Sequence, residues 1–231
     1  MEHWIEEEPG KCHWIVNTGM HGLLEAHKNS EFKQILNSAD FFASDGFSVL
    51  WIARRNGFSL EKRVTPLDLI HEFCKVASNK GYKSFFYGDT EEVQQSLKAN
   101  LKRQFTNLRI VGTYSPPFRP LTPEEDEKIV QMINKARSDV LWVALGLPKQ
   151  ERWIFEHRDR LDVPVVVGVG AVFKFLSNEV KPAPAWLGDH GLEWIWRLIQ
   201  EPRRLWRRVF IYIPHFIVLV ILEMSGLKKF D

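Results

Sequence analysis

Three short segments of this chain combine glycine with a residue able to move a proton or hold an anion. Ser44-Asp45-Gly46 follows a short apolar run and precedes the apolar stretch Phe47 to Ala53. A carboxylate at a strand end can act as a general base when it is held near an acceptor hydroxyl. The same Asp-Gly pair also serves as a plain turn or helix cap. Gly146-Leu-Pro-Lys-Gln150-Glu151 follows the apolar run Val140 to Leu145. Its glycine lets backbone approach a ligand, Pro148 presets a helix start, and Gln150 would project as a two-way hydrogen bonder for a sugar or base. An ordinary strand-to-helix loop has the same composition. Gly168-Val-Gly170-Ala-Val-Phe173 is half of a dinucleotide fingerprint. Phe173 occupies the place of the third glycine, and no acid about 20 residues on offers a convincing ribose contact, which weakens a nicotinamide-dependent oxidoreductase reading. What remains fits a phosphate near a helix N-terminus.

The chain has no Asp-x-Asp to hold a divalent ion on a nucleotide-sugar diphosphate. If a diphosphate leaves here, Arg, Lys or backbone amides must carry its charge. Arg197, Arg203, Arg204, Arg207 and Arg208 stand within twelve residues, beside Trp194, Trp196 and Trp206. The apolar run Phe210 to Met224 follows. Basic and aromatic residues next to a short greasy run read as a site for an anionic membrane surface. The run is about 15 residues and carries Pro214-His215, so it is expected to break there and to lie in the interface rather than span. A nucleic-acid patch would sit in more polar surroundings. A dimerisation helix has the same pattern.

These segments need a frame. The 231 residues fit one domain with an appendage, and the 45% hydrophobic content supports a sizeable core. Net charge of +2 says little about partners. Cys12 and Cys74 make neither a zinc pattern nor a disulfide framework. The acidic opening Met1 to Glu8 lacks the order of a signal peptide. Short apolar runs predict strands at Cys12 to Val16, Asp40 to Ala43, Lys83 to Tyr87, Leu108 to Gly112, Val140 to Leu145 and Val163 to Val167. Amphipathic or capped stretches predict helices at Ser30 to Ala39, Pro66 to Lys80, Asp89 to Phe105 (with Asp89 and Glu92 as a capping pair) and Thr122 to Arg137. Strands that read as continuous apolar runs between helices imply an α/β fold, a Rossmann-like, mostly parallel sheet flanked by helices. Chemistry is then expected in the loops after the strands: Asn17 to His21, Ser44 to Gly46, Gly88, Thr113 to Phe118, Gly146 to Gln150 and Gly168 to Ala171.

Six stretches keep a common order: Ala39 to Gly46, Arg63-Val-Thr-Pro-Leu-Asp68, Ile110 to Tyr114, Gly146 to Glu151, Gly168 to Phe173, and Gly191-Leu-Glu-Trp194 through Glu201-Pro-Arg-Arg204. Together they resemble the WecG/TagA/CpsF glycosyltransferase family, over roughly residues 12 to 212. The resemblance implies an inverting, metal-independent transfer of a sugar such as N-acetylmannosamine from UDP to a polyprenyl-diphosphate-linked sugar, in cell-envelope or exopolysaccharide synthesis, with no cofactor beyond the UDP-sugar donor. It implies Asp45 as the base, with Arg63 beside it. It places Asn17, Thr18, Gly46, Asp68, Gln150, Glu151, Gly168, Gly170, Arg197, Arg204 and Arg207 against substrate. It implies a catalytic domain over residues 1–190 and a basic, apolar membrane-binding helical appendage over 191–231. The expected location is cytoplasmic, peripheral on the inner face of the membrane, without nucleic acid and with a homo-oligomer as a further expectation. Three positions depart from the family pattern: Gly19 stands for Asn, Lys174 for Asp, and Pro182 for Arg. They bear on donor identity and motivate a second reading, a catalytically silent nucleotide-sugar-binding or scaffold protein.

Overall fold

The computed structural model describes residues 1–8, 10–61 and 63–227. In chain order the elements are α1 (Glu2–Glu7), β1 (His13–Thr18), α2 (Met20–Lys28), α3 (Ser30–Asn37), β2 (Phe41–Ser44), α4 (Phe47–Arg55), α5 (Pro66–Lys80), β3 (Lys83–Gly88), α6 (Glu91–Gln104), β4 (Arg109–Tyr114), α7 (Pro123–Ala136), β5 (Val140–Ala144), α8 (Lys149–His157), β6 (Val165–Gly168), α9 (Val172–Leu176), α10 (Ala185–Asp189), α11 (Glu193–Gln200), α12 (Pro202–Arg207) and α13 (Ile213–Met224). A 3-10 turn, Arg158–Arg160, follows α8, and a π-helical turn, Arg208–Tyr212, joins α12 to α13.

The six strands form one sheet in the order β2-β1-β6-β5-β3-β4, and every pair is parallel. β1, β5 and β6 are buried along their whole length, which is why β5 and β6 read as unbroken apolar runs; β1 also buries His13, Asn17 and Thr18. Two cores sandwich the sheet. One gathers Ile70, Phe73 and Ala77 of α5, Leu97 of α6 and Phe173 of α9. The other gathers Phe32 and Leu36 of α3, Ile129 and Ile133 of α7 and Ile154 of α8. The connections β2 to β3 and β3 to β4 move towards β4, and they carry α5 and α6. The connections β1 to β2, β4 to β5 and β5 to β6 move the other way, and they carry α3, α7 and α8. A single hand of crossover demands this sorting.

Local chemistry sets the helix ends. Thr65 and Asp68 form a capping box before α5, and Gly81 ends it in the left-handed conformation. Thr122 and Glu125 form a second box on α7. On α6 the cap is Thr90, whose hydroxyl accepts from the Val93 N–H, and not the expected Asp89. Asp89 has φ 54° and accepts from the Thr90 N–H, so it turns the chain into the helix rather than closing it.

The C-terminal segment differs from expectation. The helix does not break at Pro214-His215; it runs from Pro202 to Met224, 23 residues, and by length and composition alone it is long and apolar enough to cross a membrane. Proline lacks an N–H and crowds the carbonyl four residues back. The π turn ends at Tyr212 and contains Phe210, the residue four before Pro214, so the backbone is widened where the proline would crowd it and the chain stays helical.

Candidate active site

Only some of the expected loops meet. β1 leads to helices on one face of the sheet, and its neighbour β6 leads to α9 on the other. Loops that leave in opposite directions open a crevice beyond the strand ends. A cleft of about 670 Å³ occupies it, lined by the loops after β1, β2, β5 and β6 and closed by α11, α12 and the π turn. Gly88 and residues 113–118, at the ends of β3 and β4, line no part of it.

Asp45 sits where two concavities join, since it lines both the polar cleft and an apolar groove beside it. It follows β2 directly, and its N–H donates to the Thr18 carbonyl. Gly46, with φ 94°, then turns the chain into α4 without a side-chain cap, a conformation that favours glycine. Gly19 explains itself in the same place. A Cβ there would lie 2.7 Å from the Asp45 carbonyl oxygen, so the missing side chain lets the two loops touch.

The surroundings of Asp45 are charged. Burial raises its carboxyl to about 6, the Glu193 carboxylate pushes the same way, and the guanidiniums of Arg208, Arg63 and Arg197 pull it down. Arg63 is fixed: its Nη1 donates to Glu193 Oε2 at 2.7 Å, and its guanidinium lies so close over Gly188 that a Cβ there would fall 1.8 Å from Nη2. Arg197, Arg204 and Arg207 line the polar cleft, and Arg208, expected only as one of the basic cluster and not among the residues placed against substrate, lines both spaces. Arg208 opens the π turn, four residues after Arg204, so both fall on the cleft face of the helix. His21 and Tyr212 stack at 5.2 Å between centroids and tie the π turn to α2.

The remaining expected residues divide. Asn17 and Thr18 line the cleft; both are buried, and Asn17 Oδ1 and Thr18 Oγ have no partner among the described residues. Asn17 Nδ2 donates to the Val64 carbonyl, which ties β1 to the Arg63 loop. Asp68 lines the cleft while its carboxylate caps α5 by accepting from Thr65. Gly170 lines the cleft; Gly168 does not, and Gly46 lines the apolar groove instead.

Gln150 reaches the cleft but is no free hydrogen bonder. Its Oε1 accepts from the Gly170 N–H at 3.0 Å and its Nε2 donates to Glu151 Oε1 at 2.7 Å, so it clamps the Gly168-Val-Gly170 loop. Glu151 is a correction. It lines neither space and is 2% exposed, because α8 begins at Lys149 and turns this carboxylate inward with Trp153 and Ile154. Burial raises it to about 7, and Oε2 has no partner among the described residues. Lys174 also lies outside the cleft and pairs with Glu179 at 2.9 Å, whereas Gly19 and Pro182 line it.

A carboxylate at a strand end, an arginine-rich wall and a crevice at the sheet's switch point suit proton removal next to a departing anion. Among the described residues no group of three or more His, Cys, Asp or Glu is gathered as metal ligands. The family model for glycosyl transferases of the WecG/TagA/CpsF family matches residues 1–229. The chain belongs to that family. Two relatives carry the name N-acetylglucosaminyldiphosphoundecaprenol N-acetyl-beta-D-mannosaminyltransferase. The Bacillus subtilis (strain 168) protein is 30% identical over 229 residues, 99% of this chain and 86% of the relative. The Bacillus spizizenii (strain ATCC 23059 / NRRL B-14472 / W23) protein is 32% identical over 214 residues, 93% of this chain and 80% of the relative. Membership makes this chain a glycosyltransferase of parallel-sheet fold, with Asp45 and the arginines of α11 and α12 around the cleft.

Proposed function

We propose that this glycosyltransferase moves an N-acetylmannosamine-like sugar from UDP to a polyprenyl-diphosphate-linked sugar, with inversion and without a metal. The observation that carries the reading is the position of Asp45, at the junction of a polar cleft and an apolar groove, among three arginines. The Asp45 carboxylate takes the proton of the acceptor hydroxyl as that oxygen forms a bond to the anomeric carbon. The bond from that carbon to the UDP oxygen breaks on the opposite face, and UDP leaves with the electron pair. One displacement inverts the centre and needs one base. Arg197, Arg204 and Arg207 face the space the diphosphate would fill, and charge-assisted contacts there do the neutralising that a metal does elsewhere. The printed names of the two Bacillus relatives support an undecaprenyl-diphosphate-linked N-acetylglucosamine as acceptor.

We place the enzyme as a monotopic protein on the inner membrane face. Leu205 and Val209 are buried against the domain, and Arg208 lines the cleft, so the first half of the C-terminal helix is committed to the protein. The twelve residues of α13 rise only about 18 Å, against a hydrocarbon core of about 30 Å. Exposed Val218 and Ile221 suit insertion in the headgroup zone.

The test is radiolabelled transfer from UDP-N-acetylmannosamine to polyprenyl-diphosphate-linked N-acetylglucosamine. Wild type forms product, and Asp45→Asn binds UDP but forms none. Full turnover by that variant rejects Asp45 as the base. No wild-type product from any UDP-sugar, with UDP still bound, leaves the nucleotide-sugar-binding scaffold instead.

A further inference from the structure

A groove of about 470 Å³ runs from Asp45 between α4 and α13. One wall is Phe47, Ser48 and Trp51; the other is Phe216, Ile217 and Val220. Ile213, Phe216, Ile217 and Val220 fall at i, i+3, i+4 and i+7 of α13, so they form one stripe. Val218 and Ile221 are exposed and line no part of the groove. The helix is therefore apolar in two directions, and an apolar helix needs an apolar neighbour on each such side. A bilayer covers the outer direction. The inner one faces a slot that ends at the reacting carboxylate, where bulk lipid has no business.

Charge marks the inner end of the slot. Arg208 lines both the groove and the polar cleft, and its guanidinium makes no hydrogen bond or ion pair to any described residue. A guanidinium with open donors at the mouth of an apolar slot matches a ligand with an anionic head and a hydrocarbon tail. A further concavity of about 460 Å³ shares Trp51 and Val220 with the groove, but Arg55, Asn56 and Glu223 make it polar, so the apolar slot ends at Trp51 and Val220.

We infer that the groove between α4 and α13 holds the first isoprene units of the lipid-linked acceptor, and that Arg208 at its inner end takes the acceptor's diphosphate. This rests on the reading of the site as a transferase to a polyprenyl-diphosphate-linked sugar. It adds that donor and acceptor enter through different mouths: the nucleotide through the arginine-rich cleft, the acceptor along the apolar slot, with Asp45 where they meet.

The experiment is photocrosslinking of the full chain in nanodiscs with a diazirine-tagged geranylgeranyl diphosphate, the labelled residues being mapped by mass spectrometry. Label is expected on Phe47, Trp51, Phe216 and Val220, displaced by unlabelled polyprenyl diphosphate and not by a neutral lipid. Arg208→Gln and, separately, the slot-filling Ser48→Trp are expected to lower that labelling at least tenfold, and in Ser48→Trp UDP affinity stays within twofold of wild type. Label confined to the outward residues Val218 and Ile221, equal in all three proteins, overturns the inference and assigns the tail to bulk bilayer. Crosslinks between two copies through α13 overturn it in favour of a dimer. The readout needs no sugar transfer. Labelled slot without product rejects the transferase reading alone, and product without a labelled slot rejects the groove alone.

Discussion

Two carboxylates in this molecule are pushed up by burial, Asp45 to about 6 and Glu151 to about 7, yet they live in opposite settings. Asp45 ends β2, opens on the cleft, and is ringed by Glu193 and three arginines. Glu151 sits behind β5 and β6, 2% exposed, with a neutral amide as its partner. The environment of Asp45 makes the acid-base equilibrium adjustable by ligands, because a diphosphate entering the arginine wall changes the field on it. That of Glu151 isolates its equilibrium from anything in solution. A raised carboxyl is thus no mark of a base by itself; access to a reacting atom is what separates the two.

The comparison breaks first at Asp45. Asp45→Asn is expected to lower transfer by about 10³-fold, the middle of the range for a lost general base. Its stability should not fall, and a rise of about 1–3 kcal/mol at neutral pH is expected from removing a disfavoured charge. Kinetics and thermal melting on one preparation check both halves. Loss of activity together with loss of fold would mean that Asp45 is structural.

The next largest effect is on pH dependence. Transfer by wild type should rise with pH through about 6 as Asp45 loses its proton. Glu193→Gln keeps an acceptor for Arg63 and removes the negative charge that helps raise Asp45, so the acid limb should move down, by up to about one unit. An upward move, or an unmoved limb, would show that the limb belongs to another group. In Glu151→Gln the limb should stay in place.

Glu151→Gln sharpens the contrast from the other side. Its native carboxyl holds a proton at pH values where the unfolded chain has released it, so native stability falls as pH rises from about 4.5 to about 7. The variant lacks that loss. Chemical denaturation should show the two proteins alike at pH 4 and the variant more stable by about 2–3 kcal/mol at pH 8. Transfer should stay within about threefold of wild type. A hundredfold loss would assign Glu151 a part in the chemistry that its burial argues against.

The smallest expected effect separates membrane from site. Removing residues 213–231 deletes α13 and leaves Arg197, Arg204, Arg207 and Arg208 in place. Liposome binding should fall at least tenfold, with UDP affinity within twofold of wild type. Equal liposome binding would move the anchor to the exposed tryptophans Trp186, Trp194 and Trp206.

The frame was open to reading because its signals are strong and local. Continuous Val-rich runs mark β5 and β6, and cap, proline and glycine mark α5 and α7. Among the helices that escaped notice, α2 and α4 did so for the same reason in reverse. α2 and α4 start from Gly19 and Gly46 without any side-chain cap. At the site, Asp45 and Arg63 were found through motif order, whereas the inward turn of Glu151 was not, since it depends on where α8 begins rather than on residue type. Lys174 looked like a charge change in the site because sequence proximity to Gly170 hides that α9 carries it away to Glu179. Arg208 was visible as one of the basic cluster, and its i, i+4 spacing from Arg204 already put it on the same face.

The π turn has a further consequence, in angular phase. A π turn holds one residue more than an α turn, and one residue is about 100° of rotation. The phase in which Arg208 faces the cleft and the phase in which Ile213 to Val220 face α4 are therefore set on either side of a single surplus residue. Tails exchanged between relatives should keep both faces aligned only when the join falls after Tyr212. A join within 208–212 that drops one residue would turn the whole of α13 like a key in a lock, with its composition unchanged.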